Sequence, residues 1–339
     1  MRIVGLWNPD HHKGQTTYTN AVAPSITAPY DYEGSIAGLL TYTTAVASWQ
    51  YISVYERNWL RFQSINNGNC MVVIAPPASN GAYDAFKTAG IKRAYHGIRI
   101  YVPSYKAGGT LLVNGTVPLY AIPAIGEYFV EVVDNLETGT RTVYVNNTTV
   151  ATNNTGWLAV GNYSGSMWGA NTHNFMVADY YYGLSEDTDV PVKNRIGKMS
   201  VKTLPIATTT NDEKFTVVNA TTSIADVLNS ARGQNWPASV VGHVDTDSNE
   251  SKLNLLYTAP TLGDNVVGAM VRNCVIKPAS SLAGASASSG GTTINLTVGD
   301  TTAVTPLPYF PLVIPKPANG WSEAELGNVV VSLNSRRLS

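Results

Sequence analysis

The sequence predicts an all-β protein, a jelly-roll sandwich followed by a second, smaller β-sandwich-like domain with one or two short helices. Three observations support that expectation. Charged residues make up only 13% of the chain, against roughly 25% in an average soluble domain. Thr, Asn, Ser, Gly, Tyr and Val take their place, and these are the residues of pleated strands and polar turns. Short stretches of period-2 alternation recur with turn signals about every 8–12 residues, the spacing of a sandwich or jelly roll. Residues 127–150, EYFVEVVDNLETGTRTVYVNNTTV, show the pattern most strongly. There Glu127, Phe129 and Glu131 alternate with Tyr128, Val130 and Val132, a polar turn runs to Gly139, and alternation resumes through Val143 and Val145. Such alternation around a Gly-bearing turn is a β-hairpin signature.

The chain of 339 residues is long enough for about two domains. Composition shifts around the acidic loop at 185–189, so the first domain is predicted over 1–195 and the second over 196–339. In the first, residues 51–55, 59–62, 71–75 and 97–102 read as strands. Asn66-Asn67-Gly68-Asn69 marks a turn. Residues 82–89 predict a short helix. Asn114-Gly115 between apolar flanks predicts a further hairpin, and 175–183 a strand with alternating buried tyrosines.

In the second domain, residues 197–202, 252–257, 266–276, 293–298 and 329–333 read as strands. Ser223 predicts the N-cap of a short helix, and Ser322-Glu323-Ala324-Glu325 fits a capping box. Residues 280–291, rich in Ser, Ala and Gly, read as an exposed loop.

Composition and motifs exclude several chemistries. The net charge is −1 and no cluster of cations suits a phosphate backbone, so no nucleic-acid partner is expected. No apolar run approaches the ~20 residues of a membrane span. The apolar patch near the N-terminus is too short for a signal-peptide core. Cys70 and Cys274 read as two separate buried thiols. His11-His12 reads as a plain loop. No cofactor is expected, because neither a phosphate-cradling Gly loop nor a dinucleotide fingerprint occurs. Asp245 and Asp247 imitate the start of a calcium loop, but its turn glycine and terminal carboxylate are missing. Asp187 and Asp189, with Glu186, are weaker calcium candidates because their oxygens lie close together in one loop.

Glycoside hydrolysis needs two carboxylates on either side of a sugar bond. Period 2 places Glu131 and Asp134 on opposite faces, with Glu137 already in the turn. The expectation is therefore a protein that is not an enzyme. The best binding candidates are Trp157, Tyr163, Trp168, Asn171 and His173. Sugars lay their C–H faces on aromatic rings, while amide groups take the hydroxyls. The stronger expectation for Trp157 and Trp168 themselves is that they are core or interface anchors.

Three stretches resemble a known family. They are the hairpin EYFVEVVDNLETGTRTVYVNN, the segment GKMSVKTL at 197–204 after a Tyr/Gly strand, and the pieces LNLLYTAPTLGDNVVGAMVRNCVIKP, SSGGTTINLT and GWSEAELGNVVVSLNS. Together they resemble structural proteins of tailed-bacteriophage virions, with a concanavalin A-like (LamG-type) lectin jelly roll followed by a C-terminal β-rich unit. The resemblance covers about two-thirds of the chain. It implies a tail fibre, appendage or decoration subunit, made in the host cytoplasm and located in the virion. It implies other tail or capsid proteins as partners and host surface polysaccharide as a ligand. It carries over no catalytic residue. A capsid decoration or head fibre protein with no ligand is the alternative, and a glycan-active hydrolase a third. Self-association, with trimers favoured, is expected because such fibres use cyclic symmetry and open strand edges need covering.

Overall fold

The structure is a computed structural model. It describes residues 2–12, 47–64, 70–75, 83–103, 111–114, 117–152, 156, 158–162, 174–186, 195–211, 215–218, 221–230, 240–243, 251–261, 266–277, 281–289, 292–298, 305–314 and 320–337. The chain divides into two compact units, Met1–Lys202 and Thr203–Ser339. The all-β prediction holds in both.

The first unit contains β1 (Arg2–Trp7), β2 (Ala47–Val54), β3 (Arg57–Ser64), β4 (Cys70–Ala75), β5 (Arg93–Val102) and β6 (Leu111–Asn114). It continues with β7 (Val117–Ala121), β8 (Gly126–Asn135), β9 (Thr140–Val145), β10 (Thr148–Thr152), β11 (Leu158–Asn162) and β12 (Asn174–Ser185). Pro9–His12 forms a single 3-10 turn and α1 spans Asp84–Thr88. One antiparallel sheet runs β10-β9-β8-β5-β12-β3-β2, with β1 also on β12. A second runs β4-β11-β6-β7. Their facing side chains make one core: Ile98, Ile100, Val130, Val132, Phe175 and Val177 from the large sheet meet Val72, Ile74, Leu158 and Val160 from the small one. This is a sandwich, two sheets sealed on one apolar layer.

Strand β12 holds the large sheet together. Its first half, Asn174–Val177, pairs with β3, and its second half, Tyr180–Leu184, pairs with β1 on the same side. Along the other side β5 follows it, with the register broken between Ala178 and Tyr181. At that bulge Asp179 takes a left-handed φ of 50°, a conformation Asp tolerates better than most residues. The three tyrosines after it alternate as expected. Tyr180 and Tyr182 enter the sandwich core, while Tyr181 lies on the outer face.

The 127–150 hairpin is present, and a third strand extends it. β8 and β9 pair through a four-residue turn, and β10 then folds back on β9 through Asn146-Asn147. These two asparagines have φ of 45° and 71°, so the loop is the type I′ turn that Asn favours. β9 shows the expected alternation of burial. In β8 every residue from Tyr128 to Asp134 is buried, because the outer face of the sheet is covered as well.

The second unit contains β13 (Ile206–Asn211), β14 (Phe215–Val218), α2 (Ile224–Ser230), β15 (Val240–His243), β16 (Ser251–Tyr257) and β17 (Met270–Lys277). After them come β18 (Ser281–Ser289), β19 (Thr292–Val298), β20 (Thr305–Val313), α3 (Glu323–Gly327) and β21 (Val330–Arg337). A five-stranded sheet runs β13-β16-β21-β18-β19; β14 pairs with β15, and β17 with β20. Leu253, Leu255, Ala287, Ile314, Val329 and Val331 centre its core. Both helix caps predicted from sequence are formed. The Ser223 hydroxyl accepts from the Asp226 amide at 3.1 Å, and the Ser322 hydroxyl from the Glu325 amide at 3.1 Å.

Two expectations fail. The Ser/Ala/Gly stretch read as a loop is β18, held between β21 and β19. Its small side chains lower its own strand preference, and ladder bonds on both sides override it. Residues 197–202, read as a strand, pair with no described strand; the Gly197 and Val201 amides and the Met199 and Val201 carbonyls bond side chains instead.

Candidate functional site

The residues nominated from sequence, Trp157, Tyr163, Trp168, Asn171 and His173, lie outside the described residues, as do Asp187 and Asp189. Residues 244–250, with Asp245 and Asp247, do too. Among the described residues no group of three or more His, Cys, Asp or Glu could hold a metal ion. No helix among them is long and apolar enough to cross a membrane. The described residues instead bring together three groups that bear on function.

The first lies inside the sandwich. Asp134 projects inward from β8 and takes two bonds from Arg141 of β9, Nε to Oδ1 at 2.6 Å and Nη2 to Oδ2 at 2.8 Å. Both side chains are fully buried. Tyr83 donates its hydroxyl proton to Asp134 at 2.8 Å. With that proton committed, the Tyr83 oxygen faces His96 Nε2 at 3.0 Å as an acceptor. The proton of His96 therefore sits on Nε2, and Nδ1 accepts from Tyr180 at 3.2 Å. Tyr182 stacks flat on the imidazole at 4.6 Å.

Burial pulls the His96 pKa down to about 3, outweighing the attraction of Asp134. Burial, then Asp134, pushes the Tyr83 phenol well up. Burial works against the charge of Arg141, but the Asp134 pair outweighs it and raises the pKa. The group has the residue types of a proton relay. Its side chains lie in a closed core, so it acts as a polar rivet between β5, β8, β9 and β12.

The second group lies on the opposite face, beneath an extended strap, residues 195–202. Glu131 accepts from Tyr181 at 2.7 Å, from Arg195 at 2.8 Å, and from the amides of Ile196 and Gly197 at 2.8 Å each. Burial, then Glu131, pushes the Tyr181 phenol well up. The Arg195 guanidinium also covers the Tyr144 ring at 4.4 Å. Asp179 accepts from Arg99 at 2.6 Å, Arg57 at 2.7 Å and the Val201 amide at 3.0 Å. Arg99 in turn donates to the Met199 carbonyl at 2.8 Å and pairs with Glu127. Partial burial pushes the Glu127 carboxyl up, but Lys198 and Arg99 outweigh it and hold it below its usual range. A Cβ on Gly97 would lie 2.0 Å from the Tyr181 ring; only glycine lets that ring cross β5 to reach Glu131.

The third group is aromatic. Tyr55 and Glu56 form the two-residue turn between β2 and β3, with φ of 53° and 57°. This is again a type I′ geometry, but without Asn or Gly, at a cost of about 1–2 kcal/mol per residue. The Tyr55 ring stacks on Tyr101 of β5 at 4.5 Å, and Trp59 of β3 tilts against Tyr101 at 5.7 Å. Trp59 is buried and donates to the Val54 carbonyl at 3.2 Å, whereas Tyr55 is 62% exposed. Hydrogen bonding to Tyr55 pushes the Tyr101 phenol up.

Sequence reasoning placed Glu131 and Asp134 on opposite faces and Glu137 in the turn, where it pairs with Lys92 at 3.2 Å. It missed their partners, which come from distant positions. It also missed Tyr55, whose turn lacks the usual residues.

No protein-family model and no curated protein matches the chain. Solved structures similar to it include a mutant Trypanosoma rangeli sialidase with trans-sialidase activity. That match has 14% identity, covers 40% of this chain and 27% of the other, and has a TM-score of 0.24. Domain 4 of AbnA, a GH43 extracellular arabinanase from Geobacillus stearothermophilus, matches at 8% identity over 55% of this chain and 95% of that one, TM-score 0.25. The binding domain of botulinum neurotoxin serotype C1 matches at 9% identity over 99% and 94%, TM-score 0.31. The chain spans only 17%, 27% and 35% of three sialidase chains it matches. At these scores the matches carry no conclusion about what this chain binds or does.

Proposed function

We propose that this chain is a non-catalytic structural and adhesive protein of a bacteriophage virion, a tail fibre, appendage or decoration subunit that holds host-surface glycan. One observation supports the non-catalytic part. β8, where a sandwich hydrolase would set its acid and base, carries three carboxylates, each bonded to an arginine: Asp134 points into the core, while Glu127 and Glu131 share the outer face four residues apart, about 13 Å along the strand. Facing carboxylates about 5–10 Å apart are what glycoside hydrolysis requires. Here all three are engaged in fixing strands and strap. The virion part rests on the sequence resemblance; the expected self-association draws on β2 and β10, each of which pairs with a single strand among the described residues.

Mass spectrometry and immunogold microscopy of purified particles test the location. A glycan array probed with the full chain, followed by a reducing-end assay on any bound polysaccharide, tests the activity. Retention of glycan without turnover is expected. Release of reducing ends, abolished by Glu131→Gln in a folded variant, would overturn the non-catalytic reading. Particle incorporation with no glycan retained would leave a ligand-free decoration protein.

A further inference from the structure

Resting on that glycan-binding reading, we propose that Tyr55 on the β2–β3 turn is a sugar-stacking platform. It binds one neutral pyranose of a saccharide, with Tyr55 as the stacking ring in place of the residues nominated from sequence. The first support is the contrast between two turns of one chain. The β9–β10 hairpin meets the left-handed demand of its two-residue loop with Asn146-Asn147, while the β2–β3 hairpin meets the same demand with Tyr55-Glu56. Fold stability alone favours Asn-Gly there. Strained residues of this kind collect at binding sites, where the side chain is worth more than the relaxed turn.

The second support is preorganisation. Tyr101 stacks behind Tyr55 at an interplanar angle of 29°, and buried Trp59 backs Tyr101. A ring on a hairpin tip would otherwise swing freely; here it is already held, so a ligand orders little on arrival. The β3 side of the turn is anchored by the Arg57–Asp179 ion pair.

The third support is size and surroundings. Among the described residues the exposed large hydrophobic side chains are Val54, Tyr55 and Ile125. That is far short of the roughly 800 Å² per partner of a stable protein interface. One open ring face matches one pyranose. The rim carries partly exposed polar groups, Arg57 beside the turn and Glu127 with Lys198 next to Tyr101 in register. Hydroxyls, rather than an apolar body, are what such a rim accommodates.

The test uses the full chain and the methyl pyranosides of glucose, galactose, mannose and N-acetylglucosamine, read by saturation-transfer NMR. Any saccharide retained on the array is then titrated by calorimetry. Tyr55→Ala is expected to weaken binding at least about tenfold, and Tyr55→Trp to keep it. The double change Tyr55→Asn with Glu56→Gly separates binding from folding. It should raise Tm by about 2–4 °C while binding is lost. Wild-type affinity in that double variant would overturn the inference. Loss of binding in Trp168→Ala, with all Tyr55 variants intact, would overturn it while leaving the glycan reading standing. A wild-type chain that retains no saccharide would overturn both.

Discussion

Acidification should weaken the first unit through His96 in particular. The folded state holds this imidazole neutral, with its pKa lowered to about 3 from an ordinary 6.5. An unfolded chain takes up a proton near pH 6.5 that the folded chain refuses, so stability is full above that pH and falls as pH drops toward about 3. Each unit of displacement is about 1.4 kcal/mol. Between pH 6.5 and about pH 5 the loss from this one group is therefore about 2 kcal/mol, and near pH 3 it approaches about 5 kcal/mol. The chain has five histidines, so the wild-type curve alone does not isolate the effect. Urea unfolding followed by tryptophan fluorescence, at about pH 7.5 and about pH 5, should be run beside His96→Gln. Glutamine removes the titration but can still bond Tyr83 or Tyr180. The wild type should lose about 2 kcal/mol more than the variant across that interval. Equal losses, or an imidazole that titrates near 6.5 by NMR in the folded protein, would refute the reasoning.

Two further outcomes follow from the outer face. Glu131→Gln removes the charge that Arg195 and two backbone amides share, at a cost of about 3–5 kcal/mol. Hydrogen exchange should show Ile196 and Gly197 losing protection while the β5 and β8 amides keep theirs; unchanged exchange would mean that the strap is held by something else. Gly97→Ala forces a methyl into the Tyr181 ring, which Glu131 keeps from moving aside. Overpacking of this severity should cost at least about 3 kcal/mol, read as a Tm drop, and Tyr181→Leu in the same chain should recover part of it.

The parts of this fold legible in the sequence were those whose local chemistry and tertiary setting agree. The 127–150 hairpin is one, since alternation and turn residues both favour it. The caps at Ser223 and Ser322 are others, because a hydroxyl three residues before an amide is a local geometry. Residues 281–289 were hidden because nothing local asks Ser, Ala and Gly to form a central strand; β19 and β21 impose it. Residues 197–202 misled in the opposite sense. They alternate like a strand, but their amides and carbonyls go to Glu131, Asp179 and Arg99 rather than to a neighbouring strand. The clusters themselves were invisible for one reason: Tyr83, His96, Asp134, Arg141 and Tyr180 span about half of the first unit's length, and only the sheet order makes them neighbours.

The strap also has a consequence for how the chain is made. By the time Ser185 has left the ribosome, every described strand of the first unit has been synthesised. Yet at that moment Glu131 lacks Arg195 and both strap amides, and Asp179 lacks the amide of Val201. Asp179 already holds Arg57 and Arg99 and Glu131 already holds Tyr181, but the rest of their bonding capacity still goes to water. The residues that relieve them arrive last, so they serve as a latch: the unit can close early, but it fastens only when its final residues emerge.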